Sequence, residues 1–137
     1  MHRNDPDDAT RKGSADVAAI EGLLAFAQTR PRWSGGAALS SASEAIARSR
    51  VLAGKSPEEH TELLSRCLRT TAKLLLKRGK ATEALPLAQE AVALDRSVGG
   101  GPLVVSLMCL AGVFEALHRY SEAAATMAEA DRIPPTD

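Results

Sequence analysis

Three stretches of the chain repeat one another: AALSSASEAIA from Ala37, EALPLAQEAVA from Glu83 and EAAATMAEADR from Glu122. Ala38, Ala84 and Ala123 coincide, as do Glu44, Glu90 and Glu129, and then Ala45, Ala91 and Ala130. The first two copies lie 46 residues apart and the second two 39. Each follows a longer helical segment and a short turn. A period of this length belongs to stacked helix–turn–helix units, which bury a continuous core only against their neighbours, so about three are needed for a stable array.

The flanking sequence supplies the helices that such units require. Aromatic residues make up only 3% of the chain, and alanine and leucine carry the apolar surface. That composition favours closely packed helices over a sheet, which draws on Val, Ile, Tyr, Phe and Thr. Val17, Ile20, Leu24 and Ala27 recur at three- and four-residue steps, predicting a helix from Ser14 that ends before RPRWSGG. A second helix is expected over about 36–53, with Leu39, Ala42, Ile46 and Val51 inward. Ser56, Pro57 and Glu59 form a helix-start signature, and Gly79 suits the end of that helix. Further helices are expected over about 82–97, 103–117 and 121–132. Pro86 lies within the repeated lettering, and a start near Thr82 would put it at the edge of the first turn, where few backbone bonds are lost. Residues 1–13 read as a flexible polar tail. The expected architecture is all-α: about six helices in antiparallel helix–turn–helix repeats forming one α-solenoid domain, with units 14–54, 55–98 and 99–135.

At the level of individual positions the chain resembles the tetratricopeptide repeat family, in the extended form of kinesin light chains and bacterial signalling proteins. The last unit carries the motif in Leu107, Leu110, Ala111, Phe114, Tyr120, Ala123, Met127 and Ala130, with Pro135 after them. The middle unit carries it in Leu68, Ala72, Leu75, Gly79, Ala84, Ala88 and Ala91, departing at Thr71 and Arg96, where Leu and Pro are usual. The first unit matches in its second helix only. The resemblance implies a protein- or peptide-binding scaffold whose first helices line a concave groove.

On the helix predicted from Pro57, Arg66, Arg69, Lys73 and Lys77 form a basic stripe at helical spacing. The resemblance puts Arg69 and Lys73 where some family members hold a partner's carboxylate, with Met108 and Gly112 on the neighbouring helix. Arg would bind such a group bidentately and Lys as a point charge. Glu115 on that same surface would weaken a purely anionic site. The competing reading is a solvated charged face. Reversing Arg69 and Lys73 to Glu should abolish partner capture and leave thermal stability essentially unchanged, whereas a collapse of stability would make those residues structural.

Nothing in the sequence points to a reaction. AGKS at 53–56 lacks the upstream glycine of a phosphate loop, since position 49 is Ser. His2, His60 and His118 have no partner at metal-ligand spacing, and no cofactor or metal is expected. Cys67 and Cys109 read as small buried hydrophobes. Basic and acidic residues number 17 each, so no nucleic-acid partner is implied. No apolar run reaches membrane-spanning length, and MHRNDPDDATRKG is not a signal peptide, so a cytoplasmic protein is expected. The expected function is a non-catalytic adaptor for an acidic peptide or carboxylate. The alternatives are a structural homodimer or regulatory subunit without a groove and, behind these, an enzyme or small-molecule sensor on the same scaffold.

Overall fold

The computed structural model describes residues 6–31 and 34–135. Six helices follow in order: α1 (Pro6–Thr29), α2 (Gly35–Lys55), α3 (Pro57–Lys77), α4 (Ala81–Asp95), α5 (Gly100–Ala116) and α6 (Tyr120–Asp131). Among the described residues there is no strand. Each helix packs on the helices before and after it in sequence; α1 also meets α3, and α3 meets α5, whereas α2 and α4 make no close backbone approach.

One buried register runs through all three hairpins. Ile20, Leu24 and Ala27 on α1 are buried, as are Leu68, Ala72 and Leu75 on α3, and Leu107, Ala111 and Phe114 on α5. Each set is spaced four residues, then three. The second helices show the same spacing: Ala38, Ala42 and Ala45 on α2, and Ala84, Ala88 and Ala91 on α4. On α6, Ala123 and Ala130 are buried and Met127 between them is half-buried. Alanine on the second helix lets the paired helix approach closely, and the large core residues come mainly from the first helix. Leu110 adds to the core of the last unit. Buried Thr71 donates its hydroxyl to the Cys67 carbonyl at 2.8 Å and so carries no unmet polar group inside.

The turns within the second and third hairpins are the same structure. The Gly79 N–H bonds the Leu76 carbonyl at 3.0 Å and the Lys80 N–H the Leu75 carbonyl at 2.8 Å. Thirty-nine residues on, the His118 N–H bonds Glu115 at 2.9 Å and the Arg119 N–H bonds Phe114 at 2.8 Å. Both helices therefore close with a Schellman motif, whose residue after the cap is left-handed. Gly79 takes that conformation at φ 73° and His118 at φ 60°.

Ion pairs tie the second helices together at equivalent positions. Arg50 on α2 grips both oxygens of Glu90 on α4, with Nη2 2.8 Å from Oε1. Arg96, 46 positions after Arg50, grips both oxygens of Glu129 on α6, with Nη2 3.2 Å from Oε1. Each unit thus lends an arginine to the glutamate of the next. Glu44, the first of the three equivalent glutamates, pairs within its own helix with Arg48 at 3.0 Å. Position 135, where a third arginine would stand, is Pro.

Several local expectations are corrected. Helix α1 starts at Pro6, so residues 6–13 are helical, while residues 1–5 of the expected tail lie outside the described residues. Val51 is exposed; the buried positions of α2 continue instead through Ser49 and Leu52. Ser56 caps α3 through its position and Pro57 follows as the first helical residue, but the Ser56 hydroxyl makes no capping bond. Helix α5 starts at Gly100, ahead of the expected start near 103, so Pro102 is its third residue. Tyr120 is exposed and stacks on His118, ring centroids 5.8 Å apart, outside the core. Pro86 is the sixth residue of α4, in the second turn. A residue there would normally donate to the Thr82 carbonyl, so the proline removes one rung from the ladder.

The outer face of α6 differs from its counterparts. Ile46 and Val92, half-buried and buried at the junction with the following unit, correspond to exposed Asp131. Leu39 and Leu85, half-buried against the main core, correspond to exposed Ala124. The last helix carries small and polar residues at positions where the earlier units pack large apolar ones.

Candidate functional site

The four cations of the α3 stripe do not share one environment. Arg69, expected on the surface, is only 8% exposed. Its Nη1 donates to Asp95 Oδ2 at 3.0 Å and to Ser65 Oγ at 2.9 Å, and Ser65 in turn donates to the same Asp95 oxygen at 2.7 Å. Asp95 is fully buried. It is the last residue of α4, where the helix dipole disfavours an anion, so the guanidinium offsets both burial and dipole. Glu62 adds a longer contact to Arg69 Nη2 at 3.5 Å. Arg69 therefore locks the α3–α4 hairpin and does not present its fork to a partner. Asp95 was the residue missed in the sequence. Its register position holds Ser49 in the first unit and Pro134 in the last, so an acid at that buried position was the available signal.

Arg66 points the other way, with Nη2 2.7 Å from Glu21 Oε1 on α1. It bridges two first helices while staying partly exposed. Lys73 and Lys77 are exposed and form no ion pair among the described residues. On α5, Met108 is 53% exposed and Val105 is exposed one turn before it. Gly112 is half-buried, and a Cβ there would meet nothing, so no close approach demands glycine. Glu115 is exposed one turn further on. Of the expected partner-facing set, Lys73, Lys77 and Met108 remain fully at the surface.

Burial pushes the Cys67 thiol up, against the neighbouring Ser49 hydroxyl and the nearby Arg66 charge. Burial likewise raises the Cys109 thiol, against the charges of Lys73 and Arg69. Neither is a reactive thiolate, which requires a lowered pKa and access. His60 is half-buried, 3.7 Å from Glu59, and borders a cavity of about 820 Å³ between α1 and the α2–α3 corner. Among the described residues no cluster of His, Cys, Asp and Glu could hold a metal ion, and no helix is long and apolar enough to cross a membrane.

A second cavity, of about 360 Å³, opens where α1 and α3 end and α2 and α4 begin. Arg30, Lys77, Arg78 and Lys80 line it over a floor of Ala27, Ala38 and Leu74, with Gln28 at the rim. Of the four cations, only Lys77 was singled out in the sequence. The others belong to inter-helix turns, whose convergence a single helix's periodicity does not contain. No family model matches the chain, and no curated protein or solved structure matches it either.

Proposed function

We propose that the chain is a non-catalytic, tetratricopeptide-like scaffold that binds an acidic peptide segment of a protein partner in the cytoplasm. The observation that carries this reading is the surface shared by α3 and α5. There Lys73 on α3 and Val105 and Met108 on α5 are all exposed, on two first helices that pack against each other. An unpaired cation on one helix and exposed apolar side chains on the helix packed against it suit a peptide that combines a carboxylate with an apolar residue. Arg69 has no part in this surface, because it is buried and its Nη1 is committed to Asp95 and Ser65. The test is selection of the immobilised protein against a random peptide library. Acidic peptides with interspersed apolar residues should be enriched, and K73E/M108E should remove that enrichment. Enrichment of neutral or basic peptides, or none that depends on these two positions, refutes the reading.

A further inference from the structure

We infer that the cavity lined by Arg30, Lys77, Arg78 and Lys80 is the anchoring subsite for the carboxylates of that acidic peptide. The inference rests on the peptide-binding reading above and adds a place and a charge requirement to it.

Four cationic side chains surround about 360 Å³, and among the described residues no acidic side chain lines the cavity. The volume falls in the range of ligand pockets and suits a few side chains rather than a whole domain. Like charges gathered around a small space raise the local potential and the cost of leaving it empty of anions.

Helix ends account for part of this set. Arg30, Lys77 and Arg78 lie at the carboxyl ends of α1 and α3, where a cation complements the dipole. Lys80 cannot be explained in that way. It is the N-cap of α4, where the dipole disfavours a positive charge. Its presence there adds a fourth cation at an electrostatic cost to the helix.

The Arg30 guanidinium lies 4.0 Å from the centroid of the Phe26 ring, a stacking that leaves its charge uncompensated. The floor of Ala27, Ala38 and Leu74 is apolar, which suits a peptide side chain between two carboxylates better than a compact phosphate. Lys77 follows Lys73 by one helical turn on α3. A peptide lying on the α3–α5 surface therefore reaches the cavity by running along α3.

Isothermal titration with the acetylated, amidated peptide Asp-Leu-Glu-Asp-Leu-Glu tests this at low salt. The control is the same peptide with Asn and Gln in place of the acids, and pyrophosphate is titrated alongside. The acidic peptide should bind and the neutral one should not. K77E/K80E, which changes two exposed side chains, should weaken binding at least tenfold with an unchanged far-UV spectrum. Binding unaffected by K77E/K80E but abolished by K73E/M108E overturns the anchoring subsite and leaves the scaffold reading intact. No binding of any acidic peptide overturns both. Pyrophosphate binding that K77E/K80E abolishes, without peptide binding, overturns the peptide in favour of a small phosphorylated ligand.

Discussion

Replacing Asp95 by alanine should cost the fold about 3–5 kcal/mol, the range for breaking a buried pair by removing one partner. The magnitude follows from what stays behind. Asp95 is fully buried and Arg69 only 8% exposed, so the guanidinium cannot turn to water. Its remaining contacts are the Ser65 hydroxyl at 2.9 Å and Glu62 at 3.5 Å, the latter half exposed and weakened by solvent. The pair itself is not the source of the number, because desolvation consumes most of the Coulomb attraction between buried charges. R69M/D95L, which removes both charges and fills the space, should therefore cost less than D95A alone. Equilibrium urea unfolding followed by circular dichroism measures both. With a slope of about 1–3 kcal/mol/M for a small protein, D95A should lower the midpoint by roughly 2 M. K73E, at an exposed position, should stay within about 0.5 kcal/mol of the parent. A cost below about 1 kcal/mol for D95A, the size of an exposed pair, would refute the reasoning. So would an R69M/D95L cost equal to the sum of the two single substitutions.

Three further outcomes follow from the repeat geometry. His118→Gly should stabilise the protein by about 0.5–1 kcal/mol in the same assay, since left-handed geometry costs an L-residue roughly 1–2 kcal/mol and glycine returns roughly 0.5–1 through unfolded-state entropy; a destabilised variant would mean that the stack on Tyr120 outweighs the backbone. Pro86→Ala should restore the rung to Thr82 and raise stability by about 1–3 kcal/mol, and an unchanged melting curve would show that the second turn of α4 never formed that bond. The hydrogen bond from Arg50 holds the Glu90 carboxyl below its ordinary value, and that from Arg96 does the same for Glu129. A depressed folded pKa gives stability that is present above the ordinary carboxylate value and lost as pH falls through the lowered one, so R50A/R96A should flatten the stability loss on acidification below about pH 4.5, by about 0.2–1 kcal/mol per pair; an identical acid slope would show that the pairs do not persist in solution.

The helical order was legible because it is written twice, as periodic apolar positions and as a repeat of those positions. Ala84, Ala88 and Ala91 carry both signals, and the second hairpin follows from them. The first unit was harder to read, because Ile20, Leu24 and Ala27 match the spacing of the other first helices without sharing their letters. The start of α1 was misplaced because Pro6, Asp7 and Asp8 suit a first helical turn but bring no apolar residue with them. The candidate site was only partly legible. Arg69 looked like a surface cation because helical spacing describes one helix at a time, and its partner lies 26 residues downstream on another. The basic cavity was hidden for a related reason: Arg30, Arg78 and Lys80 sit in turns, where periodicity carries no information about neighbours in space.

The pairs Arg50–Glu90 and Arg96–Glu129 give the array a polarity. Every junction takes its donor from the earlier unit and its acceptor from the later one. A duplicate of the middle unit spliced between the second and third would find a donor ahead of it and an acceptor behind it, and the array could lengthen with every junction clasped. The same duplicate attached after the third unit would meet Pro135 where a donor is needed, and Asp131 where apolar packing is needed. The junction between the second and third units, where both halves of the clasp are present, is therefore the place to build longer versions of this fold.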